Sequence, residues 1–446
     1  MALTGLDIFK LLPKGNCKKC GMPTCLAFAM QLAQKRAKLE DCPEISEESK
    51  QKLAAAAAPP MRKIVFGTKD AQIQVGQETV LFRHEEKFYS PTVLAVTVSD
   101  KLAGDKLSKR IASVNALTFE RVGTRIGVNA VAVVNDSGSA DDFAAAAAAV
   151  KQACPLAMIL VSDSPQAMAA AVSKTAQAVP LLASATADTA DQMAKIAKDN
   201  NCPLVVKAGS IEKLVDLSEK VKSLGVENII LAFDGLSLRD QLYNLSRIRV
   251  LSLKKVFRPL GYPTISLIRD GDAGKQAAIG TSLICKYSGI VVVDTDEPHA
   301  LLPMLTAVMN IFSDPQKPVQ VEPKVYAIGE PGAGAPVIFT TNFSLTYYTV
   351  ESDVEASRVP CNILVVDTEG TSVLTAYSGD KLNEKTVADA MAKFKVADIV
   401  NHRKLIIPGY VAVMSGKLEE ATGWEIIVGP RESSMLPKFL HEVWKA

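Results

Sequence analysis

From residue 91 to residue 312 one pattern recurs: a short β-branched apolar run, a polar tip, then a stretch rich in Ala, Lys and Glu. The apolar runs fall at 92–98, 128–134, 156–161, 180–183, 204–207, 228–233, 264–268 and 289–293. Runs that are apolar throughout fit strands buried on both faces, and intervening helices fit parallel crossover connections. Asp141 and Asp142 open one such helix and Gly225 follows another, placing acids at a helix start and glycine after a helix end. Eight strand-to-helix units predict a TIM (β/α)8 barrel, with a doubly wound open sheet as the alternative that periodicity leaves open. A strand-like pair at 64–66 and 79–83 is expected to close the bottom of the barrel.

The tail restarts the pattern on a smaller scale, with strands expected at 337–340, 363–367, 404–407 and 425–428. Each runs into small or hydroxyl residues: Thr341-Asn342, Thr368-Glu369-Gly370-Thr371-Ser372, Pro408-Gly409-Tyr410, and Gly429-Pro430-Arg431-Glu432-Ser433-Ser434. Gly, Ser and Thr are ordinary turn and cap residues. Four such loops on one edge of an open α/β sheet also form the place where a large planar ligand can approach the backbone. Gly332 and Gly334 lie before a strand and lack phosphate-loop spacing, so they are expected to form a flexible loop. An alanine stretch ended by Pro59 and Pro60, and prolines at 315, 318 and 323, divide the α/β chain into expected domains at 1–58, 61–314 and 324–446.

Composition narrows the function. Fifty Lys and Arg against 48 Asp and Glu leave a formal charge of +2, which gives no field suited to nucleic acid or an anionic membrane. No apolar run approaches the ~18 residues that cross a bilayer, and the first residues lack a secretory pattern, so a cytoplasmic location is expected.

The eight cysteines fall into two groups. Cys154, Cys202, Cys285 and Cys361 adjoin apolar runs and are expected to be buried small hydrophobes. Cys17, Cys20, Cys25 and Cys42 crowd the first tenth, spaced C-x2-C-x4-C and then sixteen residues to the fourth. In a reducing compartment such a group reads as a metal site. Gly15, Gly21 and Pro23 make its first part a turning loop, and the stripe Leu26, Ala29, Met30, Ala33, Ala37 predicts a helix that returns the chain to Cys42-Pro43. Three thiolates from a loop and one beyond a helix suit a [4Fe–4S] cluster; a structural zinc ion uses the same four ligands.

The segment Cys17-Lys-Lys-Cys20-Gly-Met-Pro-Thr-Cys25-Leu-Ala-Phe-Ala with Cys42-Pro43, the Ala/Pro tether, the barrel and a C-terminal sheet bearing Thr-Glu-Gly-Thr-Ser together resemble the large-subunit family of the corrinoid iron–sulfur protein of the anaerobic acetyl-CoA pathway. The resemblance spans the whole chain. It implies a Rossmann-like corrinoid-binding domain at the C-terminus and a methyl carrier that works with partner enzymes. The implied partners are a small subunit (heterodimer), a methyltetrahydrofolate methyltransferase and acetyl-CoA synthase/CO dehydrogenase. The implied cluster, on Cys17, Cys20, Cys25 and Cys42, returns Co(II) to Co(I).

None of His84, His299, His402 and His441 stands in a D-x-H-x-x-G motif, so a base-off corrinoid without a protein histidine on cobalt is expected. Its lower face is then expected on Gly370, Thr371, Ser372, Val373, Leu374 and Thr375. Thr340, Thr341, Asn342 and Thr346 are expected to hydrogen-bond the corrin amides or nucleotide tail, and Gly409, Tyr410, Gly429, Pro430, Arg431, Ser433 and Ser434 to close the other side. Two other functions remain open. Asn135, Asp136, Asp163, Asp234, Asp270 and Asp294 stand at strand ends, where a pterin-dependent barrel methyltransferase keeps its chemistry, although such residues are expected to cap the following helices. A plain iron–sulfur electron carrier is the other.

Overall fold

The computed structural model describes residues 5–33, 36–47, 49–50, 53 and 59–444. Most of the expected alanine tether, residues 54–58, lies outside the described residues. By their contacts the residues form two compact units: those up to Phe119 with Gly127–Phe312, and Glu120–Ile126 with those from Ser313 onward.

The first unit contains the barrel. Its strands are β3 (Val93–Ser99), β6 (Ala130–Val134), β7 (Ala157–Val161), β8 (Leu181–Ala185), β9 (Leu204–Ala208), β10 (Ile229–Phe233), β11 (Thr264–Ile268) and β12 (Ile290–Val293). They close in the order β10-β11-β12-β3-β6-β7-β8-β9, with every pair parallel. All eight expected runs are strands, and closure excludes the open sheet. Serines cap the helices that follow: Ser139, Ser164, Ser210 and Ser237 each accept the N–H three residues on.

The expected pair below the barrel is half correct. Strand β1 (Ile64–Phe66) pairs with β2 (Ile73–Val75) antiparallel, and residues 79–83 form no strand. There the Leu81 and Phe82 N–H groups donate to the Glu85 carboxylate, each at 3.2 Å, which fixes a turn where a ladder would need extended backbone. Ile64, Phe66, Ile73 and Val75 pack among the small interior side chains Ala95, Ala130, Ala132 and Ala157. Arg62 N–H donates to Gly261 O and Gly67 N–H to Val179 O. Both acceptors precede barrel strands, so the hairpin plugs the amino-terminal end of the barrel. A second hairpin, β4 (Thr118–Arg121) with β5 (Thr124–Gly127), interrupts the repeat without an apolar run to signal it.

The second unit holds a five-stranded sheet of β13 (Val325–Ile328), β14 (Val337–Thr341), β15 (Cys361–Val366), β16 (Lys404–Ile407) and β17 (Glu425–Val428), ordered β13-β15-β14-β16-β17. The four expected strands are parallel and β13 is an antiparallel edge. Apolar clusters cover both faces, one around Phe339, Leu364 and Trp424 and the other around Tyr347, Val365 and Leu440. Among the described residues no helix is long and apolar enough to cross a membrane.

Candidate functional site

Strand order reverses beside β14: the chain moves outward to β15, then returns to lay β16 on the other side. Such a switch point leaves a crevice at the carboxyl ends of the strands. Here it holds a cavity of about 320 Å3, walled by the ends of β14 and β16, the helix Ser344–Ser357 and the loops after β15, β16 and β17. Ile338, Phe339, Leu345, Val350, Ile406, Ile407, Pro408 and Leu436 make most of its wall apolar.

One polar group in that wall lacks a partner. Thr340 is 1% exposed, and its hydroxyl has no hydrogen bond within the chain. A buried hydroxyl left unpaired costs ~1–3 kcal/mol, so an orphan in a cavity wall is a site for a ligand's polar atom. Thr341 is also buried and unpartnered but does not line the cavity.

Ten of the seventeen residues expected at a corrinoid line this cavity: Thr340, Thr346, Ser372, Val373, Leu374, Tyr410, Gly429, Pro430, Arg431 and Ser433. The remaining seven, Thr341, Asn342, Gly370, Thr371, Thr375, Gly409 and Ser434, stand off its wall. Several of these build the loops instead. Asn342 is fully buried; its amide donates to Gln320 and Asp367, and its oxygen accepts from the Thr368 N–H and hydroxyl and the Gly370 N–H. Both hydrogens of the Asn342 amide are thereby engaged within the chain. Gly370 adopts φ +74°, where a Cβ would meet the Gln320 side chain at 2.6 Å. Thr371 turns its hydroxyl back onto Thr368 O at 2.7 Å.

Thr349 and Glu432 also line the cavity without having been anticipated. Thr349 lies one turn beyond Thr346 on the same helical face, which is the signal that could have found it. Glu432 accepts the Tyr410 hydroxyl at 2.6 Å, and this bond holds the phenol above its ordinary value. No histidine reaches the cavity: His402 engages Ala335 O and the Lys404 N–H, and His441 engages Ser357 O.

At the N-terminus the helices Gly5–Leu11 and Cys25–Ala33 share a small core with Cys25, Cys42, Phe28, Ile45 and Leu53. The buried face of the second helix is Cys25, Phe28 and Ala29. The expected stripe is therefore rotated, for Leu26 and Met30 are exposed. Asn16, in the left-handed region at φ 49°, accepts the Cys25 N–H at 2.8 Å and donates its own N–H to the Cys25 sulfur at 3.4 Å.

Cys17 is exposed, Cys20 intermediate, and Cys25 and Cys42 buried; all four are free thiols. Burial raises the Cys42 thiol above its ordinary value, opposed by the Glu44 N–H and reinforced by the charges of Cys20, Cys17 and Cys25, so the four sulfurs share one neighbourhood. They are not drawn into a metal-holding arrangement: among the described residues no three His, Cys, Asp or Glu side chains converge to that degree. The donor set, four thiols with backbone N–H groups aimed at sulfur, nonetheless fits an iron–sulfur cluster. Among the scattered cysteines Cys154, Cys202 and Cys361 are buried as expected, and Cys285 is exposed at the end of the helix Ala273–Cys285.

The barrel mouth corrects another expectation. Asp136, Asp163, Asp234 and Asp294 do not act as side-chain caps but pair with two cations. Arg269 binds Asp136 through two hydrogen bonds and Asp294 at 3.2 Å, and Lys207 binds Asp163 at 2.7 Å with Asp234 at 3.9 Å. Asn135 donates to Ser162. Asp270 pairs with Lys275, leaving Asp272 to cap the next helix.

A family described as CO dehydrogenase/acetyl-CoA synthase delta subunit matches residues 63–440, and one described as a putative Fe–S cluster matches residues 12–44. The chain is 42% identical to the corrinoid/iron–sulfur protein large subunit of Moorella thermoacetica over 98% of each chain. It is 37% identical to the acetyl-CoA decarbonylase/synthase complex subunit gamma of Methanothermobacter thermautotrophicus over 99% of each. Among solved structures, 7,8-dihydropteroate synthase from Vibrio fischeri is similar at 14% identity and a TM-score of 0.41, covering 56% of this chain and all of that one.

Proposed function

Because the chain belongs to the family of corrinoid/iron–sulfur protein large subunits and acetyl-CoA decarbonylase/synthase gamma subunits, we propose that it is a methyl carrier that binds a corrinoid and an iron–sulfur cluster. When bound, the corrinoid's cobalt supplies the atom that takes a methyl group from methyltetrahydrofolate through a separate methyltransferase and gives it to acetyl-CoA synthase, and the cluster supplies the electron that restores oxidised cobalt.

The cavity at the β14/β16 switch point, with its orphaned Thr340 hydroxyl, carries this reading. Its volume is at the lower end of the ~300–1,000 Å3 usual for small-molecule pockets, too small to enclose a whole corrinoid and suited to the planar base and sugar of the nucleotide tail. Thr340 donates to or accepts from that tail, and the apolar wall excludes water from it. Ser372, Val373 and Leu374, at the start of the helix Val373–Ser378 that follows the loop Asn342 holds, support the lower face of the macrocycle without offering a metal ligand. The distant, already engaged histidines favour a base-off corrinoid with no imidazole on cobalt. Cys17, Cys20, Cys25 and Cys42 would hold the cluster, with the Asn16 and Glu44 N–H groups directed at sulfur. The cross-braced barrel mouth favours a scaffold role for the barrel, with a small-subunit partner completing the carrier.

The test is anaerobic purification from native cells, followed by metal analysis and EPR. Stoichiometric cobalt in a five-coordinate or lower state without nitrogen coupling, together with cluster iron, is expected. Bulky replacement of Ser372 should reduce cobalt content, and Cys20→Ser should leave methyl transfer by prereduced protein intact while abolishing recovery from Co(II). Cobalt-free native protein, or nitrogen bonded beneath the metal, overturns the proposal.

A further inference from the structure

The chain that leads into the second unit touches the switch-point site before it joins the sheet. Residues 319–321 precede the edge strand Val325–Ile328 and run antiparallel to residues 342–344, with Gln320 bridged to Phe343. The Val321 N–H donates to Asn342 O and the Ser344 N–H to Val319 O, each at 3.0 Å. Asn342 and Phe343 in turn join the end of β14, where Thr340 stands in the cavity wall, to the helix Ser344–Ser357, which supplies Thr346 and Thr349 to that wall. The Gln320 side chain is exposed, yet it reaches the clamp behind the site at two points. Its Oε1 accepts from the fully buried Asn342 amide at 3.2 Å. Its stem lies on Gly370, where a Cβ would meet Gln320 Cγ at 2.6 Å and Pro318 Cβ at 3.0 Å. Gly370 is buried under this segment at φ +74°, a left-handed conformation that glycine takes without a Cβ clash.

We propose that Gln320 is a positioning residue for the corrinoid's lower-face loop, acting through Asn342 and Gly370 from outside the cavity. The inference rests on the corrinoid reading of the site, and adds the residue that sets the loop leading to Ser372, Val373 and Leu374. An amide can present either its oxygen or its nitrogen to a given neighbour, and the loop needs the oxygen, because the Thr368 and Gly370 N–H groups both donate to it at 2.9 Å. Two acceptors on the opposite side fix that choice: Asp367 Oδ1 at 3.0 Å, which also accepts the Glu369 N–H, and Gln320 Oε1. A side chain at 320 without an acceptor strands one buried Asn342 N–H, and the cost of an unpaired buried donor weakens the orientation on which both loop hydrogen bonds depend. The Gln320 stem also presses on Gly370, so the loop is held at its hydrogen bonds and at its tightest backbone position by one surface residue.

The test purifies the full-length natural chain, Gln320→Met, Gln320→Glu and Lys317→Ala anaerobically. It reads hydrogen exchange at residues 368–371 by mass spectrometry and the rate of corrinoid release on dilution by absorbance. Gln320→Met keeps the stem on Gly370 and removes the acceptor; exchange at 368–371 should speed by about tenfold, with release faster by a similar factor. Gln320→Glu keeps an oxygen for the Asn342 amide and should restore most of both. Lys317→Ala, an exposed substitution on the same segment, should match the natural chain. Should Gln320→Met fail to fold, Gln320→Ala takes its place, with the same direction. Exchange that is unchanged in Gln320→Met, that Gln320→Glu does not restore, or that Lys317→Ala raises equally overturns the positioning role. Faster exchange with unchanged release in a cobalt-replete variant overturns it too, because the loop would then not bear on the corrinoid. A natural chain without cobalt overturns the corrinoid reading itself, and the proposal with it, whatever the exchange shows.

Discussion

Ile338 stands opposite Ile406, and among the described residues that single ladder position joins β14 to β16. Two residues on, Pro408 has no N–H with which to continue the ladder, so the strand ends are free to part and the cavity forms between them. Thr340 faces this gap with its hydroxyl unpaired. Thr340→Val keeps the shape and removes the unsatisfied group. The apoprotein should gain about 1 kcal/mol in urea unfolding, while cobalt retention falls about tenfold. A variant that loses stability without losing cobalt would show the hydroxyl to be structural.

Asn342 acts on the site from behind. Its side chain makes five hydrogen bonds that shape residues 367–370, and truncation strands the buried N–H groups of Thr368 and Gly370. Asn342→Ala should cost roughly 2–4 kcal/mol of stability and increase hydrogen exchange at residues 368–371. Corrinoid retention should fall although Asn342 does not line the switch-point cavity, so exchange that stays unchanged would contradict the clamp.

The sequence made the fold legible where burial is two-sided and failed where structure depends on partners distant in the chain. Every barrel strand could be read because a parallel strand covered on both faces is apolar throughout, as Ala130–Val134 shows. The edge strand Val325–Ile328 was missed because only one of its four residues is buried. Residues 79–83 were misread as a strand because Val80, Leu81 and Phe82 look like one locally. Arg249, buried 171 residues away from Glu78 and paired with it, donates to Val80 O and helps hold the segment as a strap. At the site, the loop positions were legible from small residues at strand ends, but Thr340 and Asn342, alike in type and nearly adjacent, could not be sorted into lining and clamp. That distinction depends on Gln320 and Asp367, which only folding brings to Asn342.

The barrel mouth should have its own acid response. The two hydrogen bonds from Arg269 hold the Asp136 carboxyl below its ordinary value, which is ~3.9 in the unfolded chain. The stabilisation is therefore complete above the unfolded value and is lost as pH falls through the lowered folded value, where protonation releases the pair. Arg269 is partly exposed, which limits the contribution to about 1 kcal/mol. Arg269→Gln should lower stability at pH 7 by that amount, and in paired urea titrations the two chains should converge as pH falls through the lowered folded value of Asp136. A deficit independent of pH would mean that packing, not charge, is what Arg269 contributes.

Gly409 marks the tightest crossing at the site. Its N–H donates to Pro430 O at 3.0 Å, and a Cβ would lie 2.6 Å from Gly429 O and 2.8 Å from Arg431 N. These are backbone atoms and cannot swing aside as a flexible side chain would. Gly409→Ala must therefore push the loop after β16 away from the loop after β17, and both loops wall the cavity. The strain should cost about 1–3 kcal/mol and widen the gap between Tyr410 and Arg431. Loss of the Tyr410–Glu432 hydrogen bond at 2.6 Å would follow, and with it the constraint that keeps the phenol protonated, so the Tyr410 titration should move down toward its ordinary value. Ultraviolet difference titration of Gly409→Ala against Tyr410→Phe isolates that phenol. A Tyr410 midpoint unchanged by the alanine would show that the two loops yield without separating.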